Sequence, residues 1–132
     1  MLLPLAGTAC VDARHDRPQT VWIANLSPVE LIARSAALKG QSVTVSGYFT
    51  PGTDTRALWQ SKDAWLDAKY SRLGQDHDYW TQCITLYAAS DDIHLPAYAE
   101  GPARMTGKVE IIEDGLWSCN AVTLAVTSVS RR

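Results

Sequence analysis

The chain has 132 residues, 46% of them hydrophobic and 20% charged, with a formal net charge of −2 and a pI near 5.8. That length suits one domain, able to bury a core without metals or many disulfides, and the composition is that of an ordinary globular protein. Lysines and arginines are scattered among acids, so the basic stripe of a phosphate-neutralising domain is missing and nucleic acid is disfavoured as a partner.

The segment from Met1 to Cys10 is almost wholly apolar or small, and the chain turns polar at once from Asp12 to Arg17. An apolar stretch ending in small residues before a cysteine has the form of a bacterial lipoprotein signal tail. It is too short to span a bilayer and lacks a positive n-region, and Gly7 stands where that pattern prefers a leucine-like side chain. The expectation is a truncated leader and linker over residues 1–19, with Cys10 as the lipid-attachment residue, and a single domain over residues 20–132. Three cysteines in an exported chain then leave Cys83 and Cys119 to pair.

Thr20 to Asn25 alternates with β-branched and aromatic residues and is expected to be a strand. Ser27-Pro28-Val29-Glu30 has a capping serine, a proline suited to the first helical position and a glutamate that completes a capping box. A helix follows with Leu31, Ile32 and Ala36 as its buried stripe, and Gly40 ends it. From Ser42 to Phe49, Val43, Val45, Gly47 and Phe49 alternate strictly with polar residues and Tyr48, the mark of a half-buried strand. A glycine inside it allows tight coiling or another backbone close by, which suits the first strand of a small closed barrel.

Ala57 to Gln60 reads as a second strand and Ser61 to Tyr70 as a short helix with a capping serine. Gly74 to Asp78 is a polar loop. Trp80 to Ala89 gives a third strand with Ile84, Leu86 and Ala88 inward. A short helical turn is expected between Asp91 and Gly101, broken by Pro96. Ala103 to Ile112 is a fourth strand with Met105, Gly107, Val109 and Ile111 inward. Asp114-Gly115 is a hairpin turn, and Leu116 to Val126 a fifth strand with Val122, Leu124 and Val126 inward.

Strand, strand, strand, short helix, strand, strand is the order of a five-stranded OB-like barrel, here with an N-terminal strand-helix extension. The expected fold class is therefore mainly β. In such a barrel the third strand pairs with the fifth, and Cys83 and Cys119 share the outward parity, so they are expected to meet on the barrel surface as a disulfide. A loop of that length contributes roughly 4 kcal/mol by the chain-entropy estimate.

The segment from Leu31 to Phe49, joined to Ala57-Leu58-Trp59-Gln60-Ser61-Lys62-Asp63-Ala64, resembles a group of uncharacterised bacterial proteins with small OB-like domains. Their pattern is a helix, then Leu-x-Gly-x-x-Val-x-Val-x-Gly-aromatic, then Ala-Leu-aromatic with a Ser and Asp pair, approximated here by Ser61 and Asp63. Met105-Thr106-Gly107-Lys108-Val109 echoes their second strand-glycine motif. Many of that group resemble secreted or lipid-anchored proteins, and the resemblance implies a fold and a compartment but no activity.

Sites for chemistry are sparse. His15, His77 and His94 are the only histidines, and Asp76-His77-Asp78 with Asp91, Asp92 and His94 match no metal-ligand spacing. No nucleophile elbow, phosphate-binding glycine loop or cofactor motif occurs, so the chain is expected to be non-enzymatic, with no cofactor and no metal. Tyr48, Trp59, Trp65, Trp80 and Tyr87 lie around the second and third strands, where OB barrels take ligands, and form the candidate binding face; core packing is the competing role for them. The expectation is an exported or lipid-anchored binding or structural module at the bacterial cell envelope, periplasmic or outer-membrane-anchored, with a protein or small molecule as partner. Its only link to the membrane is a lipid on Cys10. The alternatives are a cytoplasmic single-stranded nucleic-acid binder stacking bases on Tyr48, Trp59 and Tyr87, and a metal-dependent envelope hydrolase built on His77 and His94.

Overall fold

Ser27 does what the sequence asks of it. Its hydroxyl accepts from the Glu30 N–H at 3.2 Å, and the Glu30 carboxylate accepts from the Ser27 N–H at 2.8 Å. The computed structural model describes residues 25–52, 55–70, 81–113 and 119–131. Helix α1 runs Pro28–Ala33, breaks at Arg34, and α2 continues as Ser35–Leu38. The expected buried stripe is corrected: Leu31 and Leu38 are buried, Ile32 packs against the core, and Ala36 is exposed. Pro28, Leu31 and Leu38 are buried and Ser35 half-buried on one helical face that continues past Arg34. Ala36, five residues from Leu31, lies about 140° round the helix from it, on the exposed side.

Five strands follow: β1 Ser42–Thr50, β2 Ala57–Trp59, β3 Cys83–Ala88, β4 Gly101–Ile111 and β5 Val122–Arg131. Helix α3, Lys62–Tyr70, joins β2 towards β3, and a 3₁₀ turn, Leu95–Ala97, precedes β4. The chain is mainly β, with one five-stranded sheet. Its order is β1-β2-β3-β5-β4, and β4 pairs again with β1. All pairings are antiparallel except β3 with β5, where Thr85 lies opposite Thr123 and Leu86 opposite Leu124.

Inward residues of the strands, among them Val45, Phe49, Leu58, Ile84, Met105 and Leu124, form one core closed by Leu31, Leu38 and Leu95. Two glycines allow the strands to approach. A Cβ on Gly47 would sit 2.5 Å from the Trp59 carbonyl oxygen, and one on Gly107 2.3 Å from that of Ala125. β2 is short and meets β1 only at Tyr48–Thr50, so the rest of that edge takes another partner. Leu26 donates to the Thr44 carbonyl and accepts from the Ser46 N–H there.

The last strand corrects the sequence reading. It begins at Val122, later than Leu116, and runs past Val126 to Arg131. A shift in register opposite Thr106 and Gly107 leaves Thr127 unpaired in the ladder, so the inward face passes from Val126 to Val129 and the period of two is broken. The expected strand over Thr20–Asn25 lies outside the described residues apart from Asn25, which is no strand, and the Asp114-Gly115 turn and the Gly74–Asp78 loop lie outside them altogether.

Candidate functional site

Cys83 and Cys119 form a disulfide with Cα atoms 5.8 Å apart. Neither is on the expected surface: both lie outside the main core, buried beneath α3 with Ala57, Trp59 and Trp65. Cys119 also precedes β5. Continuing the register of Thr85 with Thr123 places Ala121 opposite Cys83, so Cys119 reaches its partner because the chain turns off the ladder at Asn120. That turn is held by polar contacts. Thr85 donates to the Asn120 carbonyl and accepts from the Cys119 N–H, while the Asn120 amide donates to the Cys83 carbonyl.

The expected aromatic face is divided by this packing. Trp59, 3% exposed, and Trp65, 9% exposed, fill the space between α3 and the outer side of β2 and β3. The Trp59 indole N–H donates to the Thr50 hydroxyl at 2.9 Å, whereas that of Trp65 is buried without a hydrogen-bond partner among the described residues. Tyr87, 38% exposed, is held instead by a hydrogen bond to the Glu110 carboxylate, which pushes its phenol up to about 12. Trp80 and Cys10 lie outside the described residues, as do His15, Asp76, His77 and Asp78. His94 is exposed, and among the described residues no three His, Cys, Asp or Glu side chains converge as metal ligands would.

Tyr48 lies beside a cavity. A groove of about 540 Å³ runs along Ser46, Gly47 and Tyr48 of β1, Glu100 with the first residues of β4, and Gln60, Ser61 and Lys62 where the chain enters α3. Each side is positioned by local structure. Pairing of Tyr48 with Pro102 fixes the β1–β4 wall, and Ser61 caps α3 by accepting from the Ala64 N–H at 3.1 Å. The Tyr48 hydroxyl donates to a Glu100 oxygen at 2.7 Å, which holds both side chains and raises the phenol above its ordinary value, with burial and the carboxylate charge adding to the shift. The Gln60 side-chain oxygen accepts from the Val29 N–H at 2.9 Å, leaving its NH₂ to donate.

Glu100, Gln60 and Lys62 were not singled out by sequence. Tyr48 and Glu100 lie 52 positions apart, and only the β1–β4 register brings them together. No described helix is long and apolar enough to cross a membrane. No family model, no curated protein and no solved structure matches this chain.

Proposed function

We propose that the chain is a non-enzymatic binding module of OB-like barrel architecture, exported to the bacterial cell envelope and lipid-anchored through Cys10, with the Tyr48–Glu100 groove as its ligand site. The observation that carries this reading is the Cys83–Cys119 disulfide, buried between the beginnings of two neighbouring strands. Structural disulfides belong to oxidising compartments. The strand order with its return pairing supports the barrel, since it is the order of a five-stranded Greek-key OB sheet. The groove supports binding because its aromatic and polar groups are held by protein contacts, so little order must be gained when a ligand arrives. The single-stranded nucleic-acid alternative is less well supported: Trp59 is buried, and Tyr48 holds a carboxylate where phosphates would pass.

The test is fractionation of the native host combined with thiol labelling and palmitate incorporation. The expected result is an envelope-associated protein, oxidised at Cys83 and Cys119, that is released to the periplasm by Cys10→Ser. A cytoplasmic protein with both thiols free to react overturns the reading.

A further inference from the structure

The groove has a mixed chemistry that restricts what it can hold. Its polar lining includes one cation, Lys62, and one anion, Glu100, beside the Gln60 amide and the Ser61 hydroxyl, and its apolar faces come from Tyr48 and Pro102. A polyanion would run against the Glu100 carboxylate, which Tyr48 keeps in place. An extended peptide could not add as a strand along this part of β1. Tyr48 pairs with Trp59 on one side and Pro102 on the other, while Ser46 pairs with Arg104 and gives its N–H to the Leu26 carbonyl.

A neutral, polyhydroxylated ring meets every feature that remains. Sugar hydroxyls donate and accept at once, and the groove offers both: Glu100 accepts, while Lys62 and the NH₂ of Gln60 donate. The apolar face of a sugar ring matches the flat face of Tyr48, whose ring is tethered through its hydroxyl. The volume falls in the range of small-ligand pockets. We infer that the groove binds a neutral oligosaccharide segment, with Tyr48 as the stacking platform and Glu100 and Gln60 as readers of its hydroxyls. This rests on the groove being the ligand site of a binding module.

The test uses the full oxidised chain with chito-, cello-, malto- and manno-tetraose as probes, followed by amide chemical-shift perturbation and calorimetry. At least one probe is expected to shift the amides of Ser46, Tyr48, Gln60, Ser61 and Gly101, with affinity changing less than about twofold between about 0.05 and 0.5 M salt. Tyr48→Ala weakens it by about tenfold or more. Tyr48→Phe, which keeps the ring and loses the tether, weakens it by about threefold, and Lys108→Ala leaves it unchanged. Absence of groove shifts with all four probes, steep loss of affinity with salt, or tighter occupation of the groove by a mixed peptide library would each overturn the assignment. An exported, disulfide-bonded chain that ignores all four saccharides removes this inference and leaves the compartment reading standing. A reduced cytoplasmic chain that binds them does the reverse.

Discussion

Trp59 and Trp65 pack with ring centroids 5.1 Å apart and planes inclined at 49°. One ring projects outward from β2 and the other comes from α3, and together they seal the Cys83–Cys119 disulfide from water. The sheet thus has packing on both sides near β2: its main core within, and a smaller aromatic and sulfur cluster without.

The two indoles differ in what their removal costs. Trp65→Ala empties a buried site and is expected to destabilise by about 3–5 kcal/mol in urea unfolding. Trp65→Phe gives up no hydrogen bond among the described residues, where that N–H has no partner. Trp59→Phe takes away a donor to the Thr50 hydroxyl, so it should cost about 1 kcal/mol more than Trp65→Phe. Equal losses in the two phenylalanine variants would contradict this assignment.

Removing the disulfide should weaken the domain without unfolding it. The paired Cys83→Ala and Cys119→Ala variant is expected to lose about 2–4 kcal/mol in denaturant melts. Its amide spectrum should remain dispersed, because Thr85 and Asn120 hold the same turn by hydrogen bonds. Asn120→Ala in the oxidised protein should itself cost about 1–3 kcal/mol, since it takes away a donor to the Cys83 carbonyl and an acceptor for the Val122 N–H.

Tyr87 sets an alkaline dependence. Its hydrogen bond to Glu110 favours the protonated phenol, so the folded chain keeps a proton that the unfolded chain releases near pH 10, up to about pH 12. The stabilisation is fully present below pH 10 and is lost as pH rises through that window. Ultraviolet titration of the tyrosines should show a late phase near pH 12 that Tyr87→Phe removes and Glu110→Gln moves down.

The strand glycines are spaced by carbonyl oxygens, which cannot yield as flexible side chains do. Gly107→Ala and Gly47→Ala are each expected to lower stability by about 1–3 kcal/mol or more, by forcing β4 from β5 or β1 from β2. Thermal melts of the two variants check it, and unchanged midpoints would refute the close approach.

Much of the fold was legible because it rests on local rules. The capping box at Ser27 and Glu30, the period of two from Val43 to Phe49 and the capped helix after Ser61 are each decided by neighbours a few residues away. The Cys83–Cys119 pairing was within reach because strand order follows from element order, but Cys119 precedes β5, so the turn at Asn120 and not strand parity brings the sulfurs together. Where a period was interrupted by the tertiary structure, the reading failed. The bulge at Thr127 moved the inward face to Val129, whereas Ala36 is exposed because it sits five residues, about 140° of helix, from Leu31.

The sequence alone therefore determined the β-rich class, most of its elements and the cysteines that join, because propensity and periodicity are short-range properties. Only the tertiary structure decided that Trp59 and Trp65 pack over the disulfide, and that Tyr48 meets Glu100 beside Gln60 at a groove. Those pairings depend on which strands lie side by side and in which register. A shift of one residue would turn Tyr48 from the groove into the core, and nothing near Tyr48 in the sequence records that choice.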